Sequence, residues 1–336
     1  MRVAAITALL LAAQVLAQGD NAPNSQPNPY RRIDHFLKLP AGRAMGSSSA
    51  VAVDHAGHIW VAERCGANSC AGSNVDPIVE FDASGKFMQA FGAGKLLFPH
   101  GFFIDGADHI WVTDGHVGDG KGDDVLEFDQ SGKLLRTLGK PGVAGSGHDT
   151  FNEPNAVLIA PNGNIFVSDG HEPGESSYRV IKFSANGKFI KQWGTPGAEP
   201  GQFETPHTLA MDSKGRLFVG DRANNRIQIF DQDGKFLASW TQFGRPSGMY
   251  IDRHDLLYVT DSESREAEGY GHHPGWKRGI RIGSVKDGVV TAFIPDAQPD
   301  PEHKSTSGGE GIAADAQGSI YSAQVDPRDI ARFEKQ

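Results

Sequence analysis

Only two cysteines occur among the 336 residues, Cys65 and Cys70 in ERCGANSC, and that scarcity argues against a zinc site built on cysteine pairs, which needs a second pair elsewhere. In an exported chain the two would meet an oxidising compartment and form a local disulfide. A bridge closing so short a loop removes little chain entropy, so it would shape the loop more than hold the fold. Clustered basic charge is also missing: the formal net charge is −9, and no positive face is offered to a nucleic acid. A membrane span is missing too, since the N-terminal apolar stretch from Val3 to Leu16 is too short to cross comfortably. Preceded by Arg2 and followed by the small-residue site Val15-Leu16-Ala17, that stretch reads as a secretory signal peptide over residues 1–17. Gln18 follows where a lipoprotein would carry cysteine. The expected location is secreted or periplasmic, in a bacterium, with residues 18–30 as a polar, Pro-rich disordered leader and residues 31–336 as one folded domain.

What the chain has in abundance is one phrase, written six times: an apolar strand, an Asp-Gly type turn and a second apolar strand. The copies read SSAVAVDHAGHIWVAE, PHGFFIDGADHIWVTD, PNAVLIAPNGNIFVSD, PHTLAMDSKGRLFVGD, PSGMYIDRHDLLYVTD and GEGIAADAQGSIYSAQ. A third strand follows (IVEFD, VLEFD, VIKFS, IQIFD), then a Gly-Lys turn and a fourth (GKFMQAFG, GKLLRTLG, GKFIKQWG, GKFLASW). Short strands recurring at this period predict an all-β fold, a six-bladed β-propeller with four-stranded blades. The last unit stops at IARFEKQ without a fourth strand, and RRIDHFLKLPAG near the N-terminus has the look of the missing one. It would close the ring and remove two sheet edges at once. No GH…WD signature appears, which excludes WD40 blades. The phrase of proline, strand, Asp-x-x-Gly turn, strand and Asp resembles the NHL-repeat propellers over nearly the whole mature chain.

One column of the repeat carries metal-ligand chemistry. Five residues before the turn residues Asp54, Asp105, Ala160, Asp212, Asp252 and Asp315 stand Ser49, His100, Asn155, His207, Ser247 and Glu310. First strands line a propeller's channel, so residues from alternate blades converge about 120° apart on the axis. His100, His207 and Glu310 form such a set, suited to Zn²⁺ with Fe²⁺ or Mn²⁺ as alternatives, and with coordination positions left open for water or substrate. A wet channel would also be lined by small polar residues, as Ser49, Asn155 and Ser247 are. Two histidines in the same Pro-His context, with a carboxylate at the third equivalent place, favour the metal.

The loop between strands two and three returns to the face that bears His100. Insertions gather there: RCGANSCAGSNVD, GHVGDGKGDD, GHEPGESSY and SESREAEGYGHHPGWKRG. Variable loops over one end of a rigid scaffold are the usual place for a substrate. The last of them, with Tyr270, His272, His273, Trp276, Lys277 and Arg278, has the composition of a lid.

FPHGFFIDGADHIWVTDG, FVSDG, GKFIKQWG, PGQFETPHTLA and GDRANNRIQIF resemble, in the same order, blades of the peptidyl-α-hydroxyglycine α-amidating lyases. That resemblance implies zinc held by three histidines on alternate blades, two of which match His100 and His207, while Glu310 stands at the third. It implies that Arg64 meets a substrate carboxylate and that Arg222 is a further active-site arginine; paired arginines suit bidentate capture. The family's catalytic tyrosine falls on His171, with Tyr178 nearby as a substitute, and His171 is the base expected from an imidazole's neutral working range. Gly308 replaces a methionine before the third ligand. Gly311 replaces an aspartate of a structural Ca²⁺ site, whose ligand set is thereby incomplete. The implied reaction cleaves an N-acyl or peptidyl α-hydroxyglycine to an amide and glyoxylate, acting on a small or peptide substrate with a carboxylate. No nucleic-acid partner is expected, and the chain is expected to be a monomer. Two alternatives remain: a propeller lactonase or esterase recruiting Asn155 and Glu310, and a non-catalytic extracellular binding module.

Overall fold

The computed structural model describes residues 23–171, 177–298, 300 and 306–336. The expected signal peptide, residues 18–22 of the leader and part of the 170–178 loop lie outside the described residues. Strand β1 spans Tyr30–Ile33. Blade one comprises β2 (Ala50–Val53), β3 (Ile59–Ala62), β4 (Ile78–Phe81) and β5 (Phe87–Phe91); blade two comprises β6 (Pro99–Ile104), β7 (Ile110–Asp114), β8 (Asp124–Phe128) and β9 (Leu134–Gly139). Blade three is β10 (Pro154–Ile159), β11 (Ile165–Asp169), β12 (Arg179–Phe183) and β13 (Phe189–Trp193), and blade four is β14 (Pro206–Met211), β15 (Leu217–Asp221), β16 (Arg226–Phe230) and β17 (Phe236–Trp240). Blade five is β18 (Gly248–Ile251), β19 (Leu256–Asp261), β20 (Gly279–Ser284) and β21 (Val290–Pro295), followed by β22 (Gly309–Ala314), β23 (Ile320–Gln324) and β24 (Ile330–Lys335). These form six four-stranded antiparallel sheets, and β1 completes the sixth by pairing with β24, Tyr30 opposite Lys335 and Ile33 opposite Arg332.

Burial follows from this architecture. Second strands such as Ile165–Asp169 are buried throughout because a neighbouring blade covers each face, whereas fourth strands such as Phe236–Trp240 alternate between half-buried and exposed. The apolar core is divided into six clusters, one in each gap between adjacent blades. The Asp of the repeated turn holds the hairpin. Asp54 Oδ1 accepts the Ala56 and His58 N–H groups while Oδ2 accepts Trp60 Nε1–H at 2.9 Å, and Asp105 repeats the pattern with Ala107, His109 and Trp111.

Cys65 and Cys70 form the expected disulfide, with Cα atoms 5.1 Å apart. Among the described residues no helix is long and apolar enough to cross a membrane. The leader departs from its reading as disordered over residues 24–29. Asn24 bonds Gly275 O and the Lys277 N–H, and the Pro27 and Pro29 carbonyls accept N–H groups from Phe293 and Gln336. Proline brings acceptors without an N–H to satisfy, so this stretch can run along the outer strand of blade five and cover its edge.

Candidate metal centre

The first strand of four blades carries a register break at the column seen in the sequence. In blade two, Pro99 pairs with Asp114 and Phe102 with Val112, so His100 and Gly101 share one opposing residue. The same break falls between Pro154 and Ala156, Pro206 and Thr208, and Gly309 and Gly311. His100, Asn155, His207 and Glu310 thus occupy bulges, which free a residue from the ladder and re-aim its side chain. All four are buried around the channel.

Backbone carbonyls of neighbouring blades fix both imidazoles. His100 Nδ1 lies 2.9 Å from Asn155 O, and His207 Nδ1 lies 2.6 Å from Ser247 O. A carbonyl only accepts, so each Nδ1 holds the proton and each Nε2 keeps a lone pair. Burial, with the neighbouring histidines and an arginine, pushes both imidazoles well below their ordinary pKa, so they are neutral. His207 Nε2 is buried without a hydrogen-bond partner, yet Glu310 Oε1 stands 3.2 Å away. Two lone-pair atoms at that distance repel unless a cation adjoins them; Arg222 Nη1 adjoins Glu310 Oε1 at 2.9 Å, and a metal would satisfy the His207 Nε2 lone pair that Arg222 leaves without a partner.

His171 adds a third nitrogen. It follows Gly170 at the end of β11, its backbone held by Thr205 Oγ1 donating to His171 O at 3.1 Å. Its ring centroid lies 5.0 Å from His100 and 5.3 Å from His207, and one nitrogen from each of the three falls within 4.8 Å of the others. The sequence reading made His171 a base and Glu310 the third ligand. The structure instead groups His171 with the nitrogens and occupies both Glu310 oxygens: Oε1 accepts Arg222 Nη1–H at 2.9 Å and Oε2 accepts the Ser262 hydroxyl at 2.8 Å.

Around Glu310 lies a charge network. Arg222 is also 3.5 Å from Glu263, which pairs with Arg245 at 3.1 Å and accepts the Tyr270 hydroxyl at 2.8 Å. Arg222 is therefore buried between two carboxylates, which already pair with its guanidinium. Burial, the largest influence, would raise Glu310 and Glu263, but Arg222 together with the Arg245 and Tyr270 contacts at Glu263, and with the His100 and Ser262 contacts at Glu310, holds both below the usual carboxylate range. Arg64 stacks on Phe98, 3.6 Å from the ring centroid, and donates to Asn68 at 2.7 Å; burial pushes its pKa down to about 10 against the pull of Glu310. Tyr178 lies elsewhere, its ring in the apolar cluster with Val180, Phe203 and Phe230. The tyrosine that reaches this network is Tyr270, from the insertion read as a lid.

Ser262, Glu263 and Arg245 were missed by the sequence reading. A second column would have found the first two: the residues just past each second strand include Arg64, His171, Arg222, Ser262 and Glu263. Beneath the histidines the channel opens into a cavity of about 870 Å³, lined mainly by apolar first-strand residues such as Phe102, Val157 and Met249.

Gly101 gives a direct test of how the scaffold aims His100. A Cβ there would fall 2.3 Å from Asn155 O, the acceptor that fixes the His100 tautomer. Gly101→Ala should cost roughly 1–3 kcal/mol in denaturant unfolding and weaken metal binding, because a backbone carbonyl must move. Unchanged stability and metal content would show that the carbonyl is not what sets the ring.

Residues 203–230 match the NHL repeat family. NHL repeat-containing protein 3 of Mus musculus is 32% identical over 221 residues, covering 63% of this chain and 60% of that protein. A probable peptidyl-α-hydroxyglycine α-amidating lyase of Caenorhabditis elegans is 29% identical over 296 residues, covering 76% of this chain and 81% of the relative. Peptidyl-glycine alpha-amidating monooxygenase A of Xenopus laevis is 32% identical over 87% of this chain, which spans 31% of that longer protein. Among solved structures, a streptogramin B lyase superposes with a TM-score of 0.57 at 15% identity, covering 91% of this chain and 98% of its own. A gluconolactonase of Xanthomonas campestris gives 0.61 at 13% identity over 93% and 91%. At such identities the structural likeness speaks for the fold alone.

Proposed function

We propose that this NHL propeller is a metal-dependent lyase that cleaves an N-acyl or peptidyl α-hydroxyglycine to an amide and glyoxylate. The observation that carries the proposal is the pair of neutral, buried imidazoles of His100 and His207, each with Nδ1 on a backbone carbonyl and with His207 Nε2 left without a hydrogen-bond partner, in a chain similar to proteins named as amidating lyases. His100, His171 and His207 would hold the ion, for which three nitrogens and an open position suit Zn²⁺. When bound, it would supply Lewis acidity toward the substrate's α-hydroxyl. Arg64, stacked on Phe98 and forming no ion pair among the described residues, would receive the substrate carboxylate in bidentate fashion. Glu310 would accept the hydroxyl proton as the C–N bond breaks, and the same proton would return to the amide nitrogen, so the reaction is balanced without a co-reactant. Arg222 and Ser262 would hold that carboxylate in place. Export, with the Cys65–Cys70 bridge formed outside the reducing cytoplasm, belongs to the same proposal.

Purified protein loaded with zinc should release glyoxylate from an N-acyl-α-hydroxyglycine. Glu310→Gln should keep the metal and lose turnover, whereas His171→Ala should lose the metal. Absence of glyoxylate from fully loaded protein would end the lyase reading. A second reading, lactone or ester hydrolysis, is favoured by Asn155 Oδ1, which is also buried without a partner and could join Glu310 on a cation. Calcium-dependent ester hydrolysis without glyoxylate would select it.

A further inference from the structure

The Cys65–Cys70 bridge begins at the residue after Arg64 and takes no part in the chemistry of the histidine centre. Arg64 O accepts the Ala67 N–H at 2.9 Å, closing a turn whose two central residues, Cys65 and Gly66, are both left-handed, at φ of 56° and 72°. Glycine takes that conformation freely, whereas Cys65 takes it against its own Cβ. The turn is held from both sides: Glu63 Oε2 accepts the Gly66 N–H at 2.6 Å, and the bridge pins Cys65 to Cys70. At the far end of the bridge the Cys70 N–H donates to Leu97 O at 2.8 Å, and beside Leu97 stands Phe98, the ring on which Arg64 stacks. One bridge thus joins the backbone that launches Arg64 to the segment that carries its platform.

Asn68 sits inside the ring that the bridge closes. It is exposed, and its Oδ1 accepts Arg64 Nη1–H at 2.7 Å. The other hydrogen bond of the guanidinium, from Nε to Pro99 O, is long at 3.4 Å. Stacking fixes the plane of a guanidinium and not the direction of its fork within that plane, so the short bond to Asn68 decides which N–H groups remain for a ligand. The chemistry of the acceptor matters as well. Arg222 and Arg245 both adjoin Glu263, whereas Arg64 is held by a neutral amide, which orients the cation without cancelling its charge.

We propose that Asn68, presented by the Cys65–Cys70 ring, is the positioning residue that aims Arg64 at the substrate carboxylate and so sets a preference for acids over their neutral analogues. The inference rests on the reading of Arg64 as the group that receives that carboxylate. Asn68 acts through Arg64 and touches no reacting atom.

Calorimetric titration of the intact, zinc-loaded protein with N-benzoylglycine and with its methyl ester reads carboxylate recognition without turnover, alongside KM and kcat for glyoxylate release from N-benzoyl-α-hydroxyglycine. Wild type should bind the acid more tightly than the ester, and Arg64→Ala should abolish that preference. Asn68→Ala should weaken binding of the acid about tenfold, leave the ester as it was, and raise KM with little change in kcat. Cys65→Ser combined with Cys70→Ser should do the same. Asn68→Asp should lose more of the acid than alanine does, because its carboxylate competes for the guanidinium. The proposal fails if Asn68→Ala or the double serine variant keeps the acid preference while Arg64→Ala loses it. It also fails if Asn68→Ala weakens acid and ester alike, since the asparagine would then serve only the loop. If Arg64→Ala keeps the preference, the proposal falls together with the carboxylate role of Arg64. The expected losses in a protein that releases no glyoxylate would support the proposal and end the lyase reading alone.

Discussion

Alanine at His100 or at His207 is expected to empty the histidine centre and to lower kcat/KM for glyoxylate release by at least roughly a thousandfold, about 4 kcal/mol at the transition state. The fold should survive. Blade cohesion resides in the six apolar clusters between sheets, and neither histidine belongs to one. Each loss would remove a neutral Nε2 donor that a neighbouring carbonyl had already oriented, so no other side chain needs to move for the site to fail. Elemental analysis of purified variants, alongside circular dichroism melts, checks both halves of the expectation. Full metal occupancy in both variants would overturn the assignment of the column, and a collapsed melt in both would mean that the histidines serve the fold instead.

The propeller was legible because its repeat is local: alternating strands, an Asp that caps its own hairpin, and glycines at the turns recur in every unit. The column was legible for the same reason. His100, Asn155, His207 and Glu310 occupy one repeat position, and the bulge that turns them inward recurs with them. What escaped depends on contacts between blades. His171 reaches the other histidines from a loop whose backbone is held by Thr205 of the next blade, and a single blade's sequence carries no trace of that. Tyr178 looked available beside His171, but Phe203 and Phe230 of blade four bury its ring. The surroundings of Arg222 were not legible, since Glu263 and Glu310, which pair with it, come from blades five and six. The leader was misread because composition reports flexibility only where no strand edge waits to receive the carbonyls.

Arg222→Ala should be the most destabilising substitution in the site, costing about 3–5 kcal/mol at neutral pH, because it leaves Glu310 and Glu263 as buried charges short of their common partner. The pH dependence follows from the direction of the shifts. In wild type both carboxyls are depressed, so their contribution is full above the unfolded-state pKa and is lost only as pH falls through the lower folded value. Without Arg222, burial raises them instead; the penalty is then present at neutral pH and is relieved as pH falls through the raised value. The stability gap between wild type and variant should therefore be widest near neutrality and close toward acid, in denaturant titrations over a pH series. Arg245 still pairs with Glu263 in the variant, so Glu310 should account for the greater part of the gap. Glu310→Gln in the Arg222→Ala background should then recover part of the loss, since it removes the stranded charge while keeping an acceptor for the Ser262 hydroxyl. A gap that is constant with pH, together with no recovery in the double variant, would mean that Arg222 acts through packing and not through charge.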